Sequence, residues 1–251
     1  MTQDSLSLPI KISWMINLSQ SIESRWSPSV LQKLKKGIYS AEIDWKVLPS
    51  ESIASIFSPI YEASVMSKAD YHIDPKVAFE TMEQMSHDSS YKLLWFTSKN
   101  NRIVYGGTII HNLPGIVRVA YRAFDHDLAK TNNLRSLDYY ADYILQQYVE
   151  TIGVDNLSRG GMKHPCDSLG LSIYKFSVGA RPLIKPGVEL RVFEKKQVFM
   201  YYSEPDSLGY FKKATIQNTD ISTELLSAFT KLASRHGIEV VVNNNLADLA
   251  Q

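Results

Sequence analysis

The chain contains a single cysteine, Cys166, among 251 residues, which excludes an internal disulfide. A fold without disulfides suits a reducing compartment, so we expect a cytoplasmic protein. Cys166 follows His164 in a segment interrupted by Pro165, and no second Cys/His cluster lies nearby in the sequence. A loop thiol is therefore favoured over a nucleophile or a metal ligand, and no metal site is expected.

Long hydrophobic runs and an excess of one charge are also missing. No stretch reaches the roughly 18 apolar residues of a membrane-spanning helix, and the N-terminus lacks the pattern of a secretory signal. The 27 Lys and Arg residues balance 26 Asp and Glu residues, so no global field attracts the chain to nucleic acid or anionic lipid. With 44% hydrophobic residues, the chain can bury a substantial core, and no membrane partner is expected.

The sequence has no internal repeat and no Gly/Ser/Pro-rich linker. We predict a main domain over residues 1–205 and a C-terminal strand-helix-strand extension over residues 206–251 packed on it. The extension is expected to add to the main sheet. From Tyr210 onward it is a candidate for covering an acceptor groove or for a homodimer contact.

The residues that are present predict an antiparallel meander in the middle of the chain. Residues 91–96 form an apolar run typical of a buried strand, and Asn100-Asn101 suits a tight turn because Asn tolerates positive φ. Return strands are predicted at residues 102–111 and 116–124, joined by the turn residues 113–115. Three neighbouring antiparallel strands are therefore expected here.

The other elements are predicted from hydrophobic periodicity and from helix start and stop signals. The further strands are at residues 10–16, 41–48, 156–159, 188–193, 197–202 and 238–242, and a hairpin turn is predicted at residues 194–196. The helices are at residues 27–37, 49–67, 74–85, 134–152, 169–176 and 222–236. From residue 41 to residue 202 the order is β-α-α-β-β-β-α-β-α-β-β, which predicts an α/β fold.

This order resembles that of the GNAT-type N-acyltransferases, and two motifs resemble their FemAB-like branch. Arg159-Gly160-Gly161 is similar to the Gly-Gly that ends a strand in that branch. Residues 170–182, GLSIYKFSVGARP, resemble the branch's pattern G-L-x-x-F-K-x-S-F-G-A-x-P. The lysine-bearing helix at residues 27–37 is similar to the basic helix before the first core strand of the family. The resemblance covers most of the chain.

The resemblance implies a mixed, mostly antiparallel central sheet with helices on both faces. It also implies a V-shaped splay between two parallel strands, residues 117–124 and 156–159, in which the pantetheine arm of an acyl carrier lies. The expected activity moves an acyl or aminoacyl group from a carrier thioester or ester to an amine by direct attack. The amine belongs to an amino acid, a peptide or a lysine side chain. No tightly bound cofactor is expected, and the co-substrate is acyl-CoA, an acyl carrier protein or an aminoacyl-tRNA.

The sequence departs from the family where CoA-using members carry a Gly-rich loop. The backbone N–H groups of that loop and the following helix N-terminus hold the pyrophosphate. Here residues 130–136 read KTNNLRS, without a glycine, so the identity of the donor stays open. The candidates for binding the carrier are Arg122, Ala123, Phe124, Asn133, Arg135 and Ser136.

Acyl transfer to an amine needs a base, a place for the developing oxyanion and an acid for the leaving group. His126 has a suitable pKa for proton removal, but its neighbours Asp125 and Asp127 favour the charged form. Tyr121 and Tyr174 are candidate acids, so the predicted catalytic group is Tyr121, Asp125, His126 and Tyr174. The predicted substrate-binding residues are His111, Arg159 and Lys175, and His111 is also a second candidate base.

Two alternatives compete with an active enzyme. One is a catalytically silent domain of the same fold that binds a peptide or an acyl carrier. The other is an unrelated α/β protein whose meander imitates the family's order. At single residues the alternatives are structural: Gly160-Gly161 forms a simple turn, and Lys175 is an exposed helix lysine.

Overall fold

The computed structural model describes residues 12–35, 42–66, 74–134, 136–162, 169–184, 199–217 and 221–243. The strands in these ranges are β1 (Ile12–Asn17), β2 (Ile43–Pro49), β3 (Tyr91–Ser98), β4 (Val104–Leu113), β5 (Ile116–Phe124), β6 (Asn156–Met162), β7 (Arg181–Ile184), β8 (Phe199–Pro205), β9 (Phe211–Gln217) and β10 (Glu239–Asn243).

One helix in these ranges, α3, is irregular. It has α-helical hydrogen bonds at Ser58–Tyr61 between π-helical turns at Ile53–Phe57 and Glu62–Met66. The others are α1 (Ile22–Arg25), α2 (Pro28–Lys35), α4 (Pro75–Ser86), α5 (His126–Thr131), α6 (Leu137–Thr151), α7 (Leu169–Ser177) and α8 (Thr223–Arg235).

The large sheet has seven strands in the order β2-β3-β4-β5-β6-β1-β7. Its pairs β2–β3, β3–β4, β4–β5 and β1–β7 are antiparallel, while β5 and β6 run parallel. The predicted fold class, a mixed and mostly antiparallel sheet with one parallel pair, is therefore confirmed. The chain divides into two compact units, residues 28–158 and residues 1–27 with 159–251.

The unit of residues 28–158 is built around the predicted meander. β3 is a nearly continuous buried run because apolar side chains cover both of its faces, and Asn101 makes the turn to β4 with φ 56°. On one face of β3, β4 and β5, buried apolar residues of the strands pack with those of α3 and α4. This core comprises Ile53, Phe57, Tyr61, Ala78, Met82, Leu93, Trp95, Ile109 and Ala123. On the other face, Arg122 of β5 contacts Asp142 of α6, so helices cover both faces.

Gly106 in β4 lies in a conformation that only glycine adopts readily, with φ 131°. It pairs with Phe124, and a Cβ at this position would overlap the Ala123 carbonyl oxygen and lie 2.8 Å from the Phe124 Cα. The close approach of β4 to the end of β5 therefore requires a glycine.

The second unit packs β1 and α7 around aromatic side chains. Trp14 and Phe176 meet edge to face at 4.9 Å, and Phe176 meets Phe229 of α8 at 5.8 Å. Gly179 ends α7 with φ 87°, as its position predicts, and its α-carbon faces Arg25, whose Cβ would lie 2.7 Å from an added methyl group.

The C-terminal tail does not add to the main sheet: β8, β9 and β10 form a separate three-stranded sheet, with one bridge from Leu183 to Tyr210. The helices α1 and α5 and the strand β7 were not predicted, because each is too short for a hydrophobic period. The predicted strand at residues 188–193, the turn at residues 194–196 and Cys166 lie outside the described residues.

Candidate functional site

The parallel ladder between β5 and β6 is short. It comprises two residue pairs, Val117 with Leu157 and Arg118 with Ser158. Beyond Arg118, β5 continues to Phe124 and, within the described residues, its ladder partner there is β4. The two parallel strands are therefore joined at the beginning of β5 and not along its length.

β5 carries a β-bulge directly after the ladder with β6 ends. Val119 lies opposite Ile110 and Tyr121 lies opposite Ile109, so Ala120 is the extra residue. In a regular strand residues 118 and 121 would point to opposite faces, because side chains alternate. The bulge instead places Tyr121 on the face of Arg118 and moves Arg122 to the other face.

The first face of β5, which we call the tyrosine face, holds Tyr121 and its aromatic neighbours. The Tyr121 ring meets the Tyr61 ring of α3 edge to face at 5.3 Å, and both are partly or fully buried. His111 lies on this face too, stacked on Tyr91 with 4.0 Å between ring centroids and 13° between planes. Burial, followed by the charge of Asp88, raises the pKa of Tyr91.

The opposite face of β5 is occupied by a buried polar network. Arg122 donates to the Asp142 carboxylate at 2.7 Å and to the Thr108 hydroxyl at 3.0 Å. Its guanidinium also lies 5.8 Å from the centre of the Phe124 ring. The side chain of Arg122, predicted to bind the carrier, thus contacts α6, while Ala123 and Phe124 are buried strand residues opposite Gly107 and Gly106.

The residues after β5 form α5. The carboxylate of Asp125 caps this helix by accepting from the Leu128 N–H at 2.8 Å. His126 is exposed, and its Nδ1 lies 3.6 Å from Asp138 Oδ2 in the first turn of α6. The structure therefore assigns a capping contact to Asp125 and brings His126 to a carboxylate that is distant in sequence.

The turn between α5 and α6 lies within residues 130–136, where the sequence resemblance led us to look for a Gly-rich loop. Asn133 adopts φ 61°, and the N–H groups of Asn132, Asn133 and Leu134 donate to carbonyl groups of α5. The Leu137 N–H donates to the Leu134 carbonyl at 3.2 Å, and Ser136 precedes α6 without a side-chain cap. Arg135 lies outside the described residues. These backbone donors are used within the turn itself.

The remaining predicted site residues belong to the second unit. Lys175 is buried, with 5% of its surface exposed, and its Nζ lies 5.4 Å from the centre of the Trp14 ring. The structural alternative of an exposed helix lysine is therefore wrong. Tyr174 is half-buried on α7, and Arg159 is half-buried in β6 beside Gly160, which has φ 75°.

Sequence reasoning missed several residues around β5. Asp142 and Thr108 pair with Arg122, and Asp138 pairs with His126, across 14 to 20 and 12 residues of sequence respectively. Of these residues, Asp142 could have been found from the sequence, because a carboxylate on the apolar side of an amphipathic helix requires a buried partner. Arg118 gave no such signal, since it reads as an ordinary exposed strand residue.

Within the described ranges, neither a cluster of metal ligands nor a membrane-spanning helix is found. No three His, Cys, Asp or Glu side chains there come close enough together to hold a metal ion. None of the helices in these ranges is long and apolar enough to cross a membrane.

Comparison with known proteins shows likeness in fold without close sequence relatives. No protein-family model matches the chain, and no curated protein matches it. The fold is similar to that of FemX, with a TM-score of 0.52, 9% identity, and coverage of 76% of this chain and 64% of FemX. L-PGS from Bacillus licheniformis also matches, with a TM-score of 0.42, 11% identity and coverage of 66% of this chain and 52% of that one.

A tandem GNAT protein from the clavulanic acid biosynthesis pathway matches with a TM-score of 0.39, 10% identity and coverage of 75% and 55%. This chain thus spans between about half and two thirds of the length of these solved proteins. Of the three, FemX supports the assignment of fold, and the mostly antiparallel sheet with its short parallel pair agrees with it. The chain therefore has a fold similar to that of FemX.

Proposed function

We propose that the protein is an N-acyltransferase that moves an acyl or aminoacyl group from a carrier ester or thioester to an amine. The main support is the ladder between β5 and β6, which ends at Arg118 and Ser158 in a fold similar to FemX. An extended ligand arm can pair with a strand edge as an added strand does. The edge of β5 beyond the ladder is the proposed place of the donor.

In the proposed reaction the amine nitrogen attacks the donor's carbonyl carbon directly. A C–N bond forms, the C–O or C–S bond to the carrier breaks, and the leaving oxygen or sulfur takes a proton while the amine loses one. We assign proton donation to Tyr121, because its phenol lies on β5 next to the bulge. Neutral amines attack and ammonium ions do not, so a base must also be present.

His111 is the base that the geometry favours. It lies on the tyrosine face, and its strand neighbour Ile109 is directly opposite Tyr121, so His111 and Tyr121 are diagonal neighbours about 7–8 Å apart. We place the acceptor amine between them. Asp88 interacts electrostatically with His111. His126 follows the far end of β5 and remains the second candidate, oriented by Asp138.

The donor that we propose is an aminoacyl ester, such as aminoacyl-tRNA, in preference to acyl-CoA. A pyrophosphate needs backbone N–H donors in the turn before α6, but those of Asn132, Asn133 and Leu134 already donate to carbonyl groups of α5. The carboxylate of Asp138 in the first turn of α6 would also repel a pyrophosphate. The resulting picture is a cytoplasmic enzyme with no tightly bound cofactor, a carrier-borne donor and an amine acceptor.

The test is a transfer assay with the full chain. Bulk tRNA charged with radiolabelled amino acids and radiolabelled acetyl-CoA are each incubated with Nα-acetyl-lysine and with the dipeptide Ala-Ala. We expect label to move from tRNA to an amine and not from acetyl-CoA. His111→Ala and Tyr121→Phe should each reduce the rate about 100-fold, the usual scale for a lost acid or base.

His87→Ala is the matched control, because His87 is exposed and lies at the end of α4. It should retain the full rate. Unchanged turnover in His111→Ala together with a large loss in His126→Ala would reassign the base. No transfer from either donor would contradict the enzyme itself.

A catalytically silent binding domain is the second candidate. It is favoured by the structural engagement of two predicted site side chains, Arg122 with Asp142 and Asp125 with the Leu128 N–H. Saturable binding of charged tRNA without any turnover in the same assay would establish this alternative.

A further inference from the structure

Two arginines on β5 have opposite surroundings. Arg122 is neutralised by Asp142 at 2.7 Å, and 15% of its side chain is exposed. Arg118 is exposed, and among the described residues it makes no ion pair. In β5, Arg122 is therefore part of a buried ion pair, whereas Arg118 is an exposed cation.

Arg118 belongs to a cross-strand row on the tyrosine face. Tyr91 of β3 lies opposite His111 of β4, and His111 lies opposite Arg118 of β5. Residues directly opposite in antiparallel strands point to the same face, with Cβ atoms about 5 Å apart. The parallel stack of His111 on Tyr91 holds the imidazole in place beside Arg118.

Arg118 and Asp88 carry the charges in and next to this row. Arg118 lies close enough to Tyr91 to oppose the rise in its pKa that burial causes. Asp88 is the nearby carboxylate, and hydrogen bonds from the Ser90 hydroxyl at 2.6 Å and N–H at 2.9 Å lower its pKa. Asp88 accepts both of these hydrogen bonds through Oδ1, and no ion pair joins it to Arg118 among the described residues.

The position of Arg118 relates it to the proposed reaction. It forms the last β5–β6 pair, with Ser158, and the bulge at Ala120 follows it. His111 and Ile109, which lie opposite Arg118 and Tyr121, are two residues apart, so the two β5 residues are separated by about 7 Å along the strand. Arg118 therefore lies directly opposite the proposed base, His111, and about 7 Å along the strand from the proposed acid, Tyr121.

We propose that Arg118 binds a free carboxylate of the acceptor, so that the acceptor is a carboxylate-bearing amine. This inference rests on the proposed function. A planar guanidinium holds a carboxylate through two parallel hydrogen bonds, which fixes its direction as well as its position. With the carboxylate on Arg118, the amine of the same molecule lies between His111 and Tyr121.

The spacing also favours a class of amine. An α-amine lies directly beside its own carboxylate, whereas the proposed acid Tyr121 is about 7 Å along the strand from Arg118, so the amine must be separated from its carboxylate to reach it. The side-chain amine of a diamino acid and the N-terminus of a short peptide both meet this requirement. They share the same chemistry, and the experiment separates them.

Binding of acceptors without any donor tests the proposal independently of turnover. Two carboxylates, Nα-acetyl-lysine and Ala-Ala, and their C-terminal amides are titrated into the full chain by isothermal calorimetry. We expect at least one carboxylate to bind at least tenfold more tightly than its amide, the scale of a lost charged hydrogen bond. Arg118→Gln should remove that difference, and the member of the pair that binds identifies the amine class.

Arg102→Gln is the matched control, because Arg102 is an exposed arginine of the same unit, in the turn before β4. It should bind both carboxylates like the wild type. Equal binding of carboxylates and amides, an unchanged preference in Arg118→Gln, or no binding of either carboxylate would overturn the proposal. Transfer of label to an acceptor without a carboxylate would leave the enzyme standing and remove the role of Arg118.

Discussion

The ion pair of Arg122 with Asp142 illustrates how single residues hold the proposed donor strand. The Asp142 side chain is 1% exposed, so an arginine left without it would keep a charge in a largely buried place. We predict that Asp142→Ala destabilises the protein by about 3–5 kcal/mol, the usual cost of removing one partner of a buried pair. Urea unfolding followed by tryptophan fluorescence measures this.

Asp155→Asn provides the comparison, since Asp155 is an exposed aspartate outside helices and strands. Its effect should stay within about 0.5 kcal/mol. Similar unfolding midpoints for the two variants would show that the Arg122 network does not stabilise the fold.

His236 gives a prediction about pH. Burial lowers its pKa from 6.5, and its Nε2 lies 2.9 Å from the Phe176 carbonyl oxygen. Above pH 6.5 the imidazole is neutral in both the folded and the unfolded chain. Below that value the unfolded chain takes up the proton first, so stability is lost as the pH falls towards the lower folded pKa.

Replacement by glutamine keeps a donor for the Phe176 carbonyl and removes the titration. We therefore expect the loss of stability below pH 6.5 to be smaller in His236→Gln than in the wild type, measured by urea unfolding at several pH values. His87→Gln should keep the wild-type profile, because His87 is 76% exposed. Parallel profiles for all three proteins would contradict the role of His236.

At the scale of elements, the contact between β4 and β5 depends on Gly106. A methyl group there would lie 2.8 Å from the Phe124 Cα and overlap the Ala123 carbonyl, both backbone groups that cannot rotate away. Gly106→Ala should therefore separate the strands and lower the melting temperature clearly. Gly115→Ala, with φ 72° and no atom within 4 Å of the added carbon, should cost about 1 kcal/mol from backbone strain alone. Equal melting temperatures of the two variants would refute the contact.

The meander and most helices were predictable because their signals are local. The apolar run of β3, the Asn pair after it and the glycine that ends α7 each indicate a structure through neighbouring residues. The bulge at Ala120 was not predictable, because it arises from the register between two strands. That shift decides that Tyr121 shares a face with Arg118 and His111.

At the scale of the whole molecule, the order of elements predicted an α/β fold, and the resemblance to a known family implied the mostly antiparallel sheet and its parallel pair. The order did not predict that the C-terminal strands form their own sheet with β8. A local hydrophobic pattern does not distinguish between possible partner strands of similar hydrophobicity. Which strands pair depends on the packing of the whole unit. The division at residue 205 that the sequence suggested stays a prediction.

The sequence by itself determined the class of the fold, the positions of most elements and some of the polar residues near β5, among them His111, Arg122 and His126. Hydrophobic periodicity and turn chemistry act over a few residues, so they can be read along the chain. The tertiary structure alone decided the partners of those polar residues: Arg122 faces Asp142, His126 faces Asp138, and Arg118 lies beside His111. Such pairings join residues far apart in sequence, and they are determined by strand register and helix packing rather than by local preference.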